Sequence, residues 1–282
     1  MLKRPLALRT RLALGYTAFF GLVLMLMGIG MALAVRSTLL AEIERELSSS
    51  SELIQKDFDS SNIELADYFN NPAFRRAVSM AVDRDAMIPS IFFGDAVKNW
   101  SQSTAGVKAW YTPDIKKYDY NPDEAKRVLA GLGFKDGNGD GVLEDTKGQP
   151  VSFSIKTNGD NKMRVGMANF IRDDLAKVGI KVTLVPVDFN TLITNIRDDK
   201  QYEAVLLGLQ SGVPPDPAMG QNTWRSSGRT HNWHISEPTP ATPEEARIDK
   251  LMDTLVGSSD VAVRKQAWTD VQNIVNEMSW LI

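Results

Sequence analysis

The stretch His231-Asn-Trp-His234 holds both histidines of the 282-residue chain. Two imidazoles at i, i+3 are a possible metal-ligand spacing, but no HExxH and no acidic ligand pattern adjoins them, so no metal is assigned there. A second candidate is Asp136-Gly-Asn-Gly-Asp140-Gly141, with oxygen side chains at alternate positions and glycine at the sixth, as a calcium loop opens. Its twelfth position, where a bidentate carboxylate should stand, is Lys147, and Glu144 and Asp145 fall too early. A Gly/Asp-rich surface turn is the expected structure. No cysteine, GxSxG elbow, P-loop or GxGxxG occurs, so thiol, serine and nucleotide chemistry have no recognisable carrier, and no cofactor is expected. The balance of 32 basic and 35 acidic residues gives no basic field for nucleic acid.

The chemistry best provided for is contact. Between residues 210 and 243 a Pro-rich stretch collects Trp224, Arg225, Arg229, His231, Trp233 and His234. A connection this long is functional or disordered, and aromatic rings among arginines argue for a binding surface. The competing reading is that both tryptophans plug the loop onto its own lobe.

The elements that must position this loop alternate between helix and strand. Asn71-Pro72 supplies a cap and a first-turn proline for a helix with the stripe Phe74, Ala77, Val78 and Ala81. Asn121-Pro122-Asp123-Glu124 starts another, which Gly131 or Gly133 can end. From Val151 the order is strand (VSFSIKT, period two), helix (Met163 to Val178, stopped by Gly179), strand (IKVTLVPV), short helix (Asn190 to Asp198) and strand (EAVLLGLQ). Helical crossovers imply a mostly parallel sheet in an α/β lobe. The pairs Asp173-Asp174 and Asp198-Asp199 read as solvated helix faces. Thr242-Pro243-Glu244-Glu245 is a capping box, and Asp260 caps a last helix with the stripe Ala267, Trp268, Val271, Ile274, Val275 and Met278. Neither a catalytic acid–base pair nor an activated nucleophile emerges, and the reading is binding rather than enzymatic.

The amino-terminal end has a different character. Leu12 to Val35 carries no charge, and as a helix it would run about 36 Å, enough to cross a hydrocarbon core of about 30 Å. Lys3, Arg4, Arg9 and Arg11 precede it, so the residues after Arg36 are expected to face outward. Ala32-Leu33-Ala34 also fits a signal-peptidase site, although the apolar run is longer than the core of a signal peptide. Leu40, Ile43, Leu47 and Ile54 then predict a juxtamembrane helical stalk. The expected organisation is a cytoplasmic tail and transmembrane anchor at 1–36, a stalk at 37–68 and a folded part at 69–282.

Two resemblances follow from longer stretches. RTRLALGYTAFFGLVLMLMGIGMALAVRSTLLAEIERELSSSSELI resembles the anchor of bacterial sensor histidine kinases, although the return helix, phosphoacceptor helix and nucleotide domain of a kinase do not follow. FRRAVSMAVDRDAMI, YNPDEAKRVLAGLGFKDGNGDGVLED, NFIRDDLAKVGIKVTLVPVDF, PPDP, NTWRSSGRTHNWH and TPATPEEARIDKLMD, in that order from about Asn70 to Ile282, resemble family 5 extracellular solute-binding proteins, the peptide and nickel receptors of ABC importers. That resemblance implies a partial lobe of a periplasmic-binding-protein type II fold, which the charge-free run at 12–35 would precede with one transmembrane helix. It also implies a small-molecule or peptide ligand, ABC permease subunits as partners and no covalent chemistry; with the anchor and its basic flank, the expected location is the bacterial inner membrane with the bulk facing the periplasm. On the same carry-over Asp216 would hold a cationic ligand end, Trp224 and Trp233 would wall side-chain pockets, Arg225 or Arg229 would pair a carboxylate, and His231 belongs to the same loop, where it and Arg229 could instead form an internal pair. Family members run to roughly twice this length, so a fusion or fragment with one incomplete lobe is expected. The alternative reading is a sensory input domain of a two-component system.

Overall fold

The chain divides into two compact units, Met1–Ser60 and Ser61–Ile282. The computed structural model describes residues 67–282 except 211, 235 and 236, with single positions 25, 29, 31, 37 and 38. Apart from those positions, the expected anchor at 12–35 and the stalk lie outside the described residues. Among the described residues no helix is long and apolar enough to cross a membrane.

Local capping chemistry starts most of the helices. Helix α1 (Pro72–Ala81) opens on Asn71, whose side chain accepts from the Ala73 amide, and buries Phe74, Ala77, Val78 and Ala81. Helix α2 (Arg84–Phe92) follows at once, capped by Asp83. Helix α3 (Pro122–Gly131) is capped by Asn121, and of its two candidate terminators Gly133 takes the left-handed conformation, at φ 88°.

Strand β1 (Ser152–Asn158) is central. It pairs in parallel with β2 (Lys181–Val187) on one side and with the two-residue β3 (Ala204–Val205) on the other, giving the order β2-β1-β3. Helices α4 (Lys162–Ala176) and α5 (Phe189–Arg197) make the crossovers and both pack on β1. The third strand is far shorter than EAVLLGLQ predicts.

Alternation along β1 does not separate core from solvent. Phe153 and Ile155 join one apolar cluster with α1, α3 and α4, while Ser154, Lys156 and Asn158 are buried as well. Helices cover both faces, so these polar groups must find protein partners. Glu203 accepts from the Ser154 amide and hydroxyl at 2.6 and 2.8 Å, and Lys156 donates to Asn195 Oδ1 at 3.0 Å. Asp174 is likewise buried, against the expectation of a solvated face, and it accepts from the Asp83 amide at 2.8 Å. Asp198 and Asp199 are exposed as expected.

A second core lies under helices α7 (Pro243–Gly257) and α8 (Val261–Met278), packed against each other. Ile248, Met252, Leu255, Trp268, Val271 and Val275 fill it, with Trp224 from the short helix α6 (Gln221–Trp224). The capping box at Thr242 and Glu245 forms as the sequence predicts. The Asp136–Gly141 turn is exposed, and its own amides satisfy it: Gly139 and Gly141 donate to Asp136, Val142 to Asp140, and Gly137 to Glu144.

Candidate solute-binding cleft

A cleft of about 620 Å³ opens beside the second core. Its wall includes Trp100, Tyr118, Trp224 and Trp268, and among its lining side chains only Arg84 and Asp216 carry charge. Large rings that bury area with little rotamer loss suit an apolar solute body, and a few charged groups fix its orientation.

One wall, residues 99–112, has almost no regular structure and must take its hydrogen bonds from elsewhere. Helix α8 supplies them. Gln272 is fully buried; its amide nitrogen donates to Trp110 O at 3.1 Å and Thr112 Oγ1 at 2.8 Å, and its oxygen accepts from the Ser101 hydroxyl. One turn on, Asn276 donates to Trp100 O at 3.1 Å, and Trp268 Nε1 donates to Ser103 Oγ at 2.9 Å. Sequence reasoning recorded the apolar stripe of this helix and missed the two amides beside it. The available signal was Gln272 and Asn276 one and two turns after buried Trp268, on the same line of the helix.

Arg84 stands at the first position of α2, placed by the Asp83 cap and by buried Asp174 beneath it. Its guanidinium donates to Ser79 O at 2.9 Å and Ser79 Oγ at 3.1 Å and lies 4.7 Å from the centre of the Trp100 ring. Burial lowers its pKa, and Asp119 acts against that from a distance. Among the described residues Arg84 has no ion-pair partner within 4.0 Å, so a cation with unused donors faces the cleft.

Asp216 is differently placed. Arg264 Nη2 reaches its two carboxylate oxygens at 2.6 and 2.7 Å, and the Ala218 amide donates at 2.9 Å. The hydrogen bond from Arg264 leads the effects that hold this carboxyl below its ordinary value. Its charge is already answered within the chain, which removes the expected reason for it to hold a cationic ligand end.

Of the six residues expected at the site, Asp216 and Trp224 line the cleft, and Arg225, Arg229, His231 and Trp233 do not. Arg225 is turned to Asp253 at 2.8 Å, and Arg229 is exposed. His231 is fully buried and pairs with Glu245 rather than with Arg229. Trp233 stacks on Trp280, with ring centres 5.5 Å apart and planes 9° from parallel. For Trp233 the loop-plug reading holds, because the second core offers it an aromatic partner. Trp224 does both jobs, packing edge-on to Trp268 at 5.5 Å while facing the cleft.

Residues 45–232 match the family described as bacterial extracellular solute-binding proteins, family 5 Middle, a match that begins well before Asn70. The chain belongs to that family. A probable ABC transporter-binding protein of Deinococcus radiodurans is 30% identical over 239 residues, covering 82% of this chain and 40% of the relative. The oligopeptide-binding protein AppA of Bacillus subtilis is 28% identical over 75% of this chain and 37% of its own. The structure of that AppA with a nonapeptide superposes with a TM-score of 0.65 at 27% identity, over 76% of this chain and 41% of that one. NikA of Brucella suis in complex with Fe(III)-EDTA shares the fold, with a TM-score of 0.65 at 24% identity over 74% of this chain and 40% of that one. The chain thus spans about 40% of the length of these relatives.

Proposed function

We propose that this chain binds a peptide-type solute outside the cytoplasm for an ABC-type importer, without covalent chemistry. The observation that carries the reading is the cleft itself, with aromatic walls and one cation, Arg84, that has no ion-pair partner within 4.0 Å among the described residues, against an Asp216 already paired with Arg264. Such a cleft selects a solute with a carboxylate, of which the C-terminal carboxylate of a peptide is the natural case, because guanidinium donors match carboxylate oxygens. Asp216 and Trp224 serve as wall residues, Asp216 through the shape it imposes with Arg264 rather than as an open charge. Permease subunits are the partners, and residues 12–35 tether the chain to the inner membrane with the lobe outside; the charge-free run and its basic flank support that placement.

The test is a thermal-shift screen of the detergent-solubilised full chain against short peptides and their C-terminal amides. Stabilisation by free-acid peptides, weaker with the amides, is the expected result. No stabilisation by any peptide at millimolar concentration would overturn the reading.

A further inference from the structure

Among the described residues two groups of side chains converge closely enough to ligate a metal. One is the exposed Asp136, Asp140 and Glu144 turn, whose oxygens its own amides already engage. The other does not line the cleft and joins both histidines of the chain to a glutamate. His231 Nε2 and His234 Nδ1 approach the same oxygen, Glu245 Oε1, at 3.1 and 2.6 Å. His231 and Glu245 have no exposed side-chain surface, and His234 keeps 29%.

Hydrogen-bond chemistry decides how these groups are presented. His231 Nδ1 sits 3.0 Å from Thr223 O. A carbonyl oxygen only accepts, so Nδ1 carries a proton, and in the neutral ring Nε2 keeps its lone pair. That lone pair is aimed at a carboxylate oxygen, which is also an acceptor. Two acceptors in contact need a proton or a cation between them. The other oxygen, Oε2, is taken by the Thr242 amide at 2.9 Å in the capping box, leaving Oε1 for the interior. An imidazole anchored through its far nitrogen to a backbone carbonyl is the arrangement that fixes the tautomer of metal-ligating histidines.

We propose that His231, His234 and Glu245 form a binding site for one divalent cation of the zinc type, with water in the fourth position. Two imidazoles and one carboxylate suit zinc rather than calcium or magnesium, which take oxygen ligands. With bonds of about 2.0–2.2 Å, tetrahedral ligand atoms stand about 3.3–3.6 Å apart. The observed 3.1 and 2.6 Å therefore need to open by well under 1.5 Å, the larger movement falling to partly exposed His234. A bound ion would tie the 228–234 loop to the start of α7 and so brace the strip that carries Trp224.

The assay titrates the metal-stripped full chain with Co²⁺ and Zn²⁺, reading visible absorption, bound metal per chain and melting temperature. The chain has two histidines and no cysteine, so a signal that depends on histidine comes from this site alone. One equivalent of Co²⁺ with four-coordinate visible bands, displaced by Zn²⁺ but not by excess Ca²⁺, is expected. His234→Ala, at the partly exposed position, should bind at least tenfold more weakly and lose the zinc-dependent rise in melting temperature, a rise measured against its own metal-free melt because the variant also loses the Glu245 contact. Asp140→Asn, in the separate turn, should leave binding unchanged. The proposal is overturned if no stoichiometric ion binds, if His234→Ala binds as well as the parent, or if Asp140→Asn abolishes binding. Those outcomes would leave a proton-bridged His–Glu–His cluster. None of them bears on solute binding, which the peptide screen tests separately.

Discussion

Replacing Arg84 with glutamine removes a charge from the cleft while keeping a planar, hydrogen-bonding side chain. In the parent, Arg84 is held by Ser79 and Trp100 and meets no carboxylate within 4.0 Å. A ligand carboxylate arriving at about 4 Å would gain about 4 kcal/mol of Coulomb energy at an effective dielectric of about 20. Desolvation offsets part of that, and hydrogen bonds to charged groups retain about 1.5–3 kcal/mol net. At about 1.4 kcal/mol per decade the expected preference for a free-acid peptide over its amide is about tenfold to a hundredfold. Calorimetric titration of parent and Arg84→Gln with each ligand closes a double-mutant cycle. Parent protein should show the full preference, Arg84→Gln should show almost none, and Arg84→Lys should fall between because it keeps the charge without the fork. Because the substitution also loses the Ser79 bonds, melting curves of the ligand-free variants separate a folding loss from a binding loss. Losses that simply add, with the acid preference intact in Arg84→Gln, would refute the assignment of Arg84 as the anion site.

Gln272→Leu strips the 99–112 wall of its brace, and with buried polar groups left unpaired it should cost about 2 kcal/mol, or about 4–8 °C in melting temperature, together with faster amide exchange in that wall; unchanged exchange there would contradict the bracing role. A Cβ at Gly228 would lie 2.1 Å from Asn222 O and 2.6 Å from Asn222 C, so Gly228→Ala must displace α6, and a cost of about 1–3 kcal/mol with altered tryptophan fluorescence is expected. The Arg264 hydrogen bond depresses the Asp216 pKa, so the pair's contribution is complete above the unfolded value of about 3.9 and is lost as pH falls through the folded value. Melting temperatures of parent and Asp216→Asn should therefore differ at neutral pH and converge in acid, whereas parallel curves would contradict the pairing.

Caps were legible in the sequence because they are local. Asn71, Asn121, Thr242 and Asp260 each bond an amide two or three residues away, so residue type and spacing suffice. Apolar stripes were legible for the same reason, as Phe74 and Trp268 show. Polar groups in the interior were not, since their burial is decided by distant chain. Asp174 reads as one more surface acid until α2 docks on it, and Lys156 reads as an outward position until α5 covers that face. The cleft suffered most from this. Asp216 looks available until Arg264, 48 residues on, is seen to hold it, and the 99–112 wall has no visible support until Gln272 and Asn276 arrive from the far end of the lobe. The His231–Glu245 meeting was hidden in the same way, because Glu245 already had a full local role in the capping box.

Hydrogen–deuterium exchange of the full chain with and without a free-acid peptide reads out whether this cleft is where the solute sits. Saturable protection confined to the cleft segments around residues 99–107 and 209–224 and the start of α2 is predicted, reduced in step with affinity by Arg84→Gln. Saturable binding that protects other surfaces, or no protection at saturating peptide, would contradict the assignment of this cleft as the solute site.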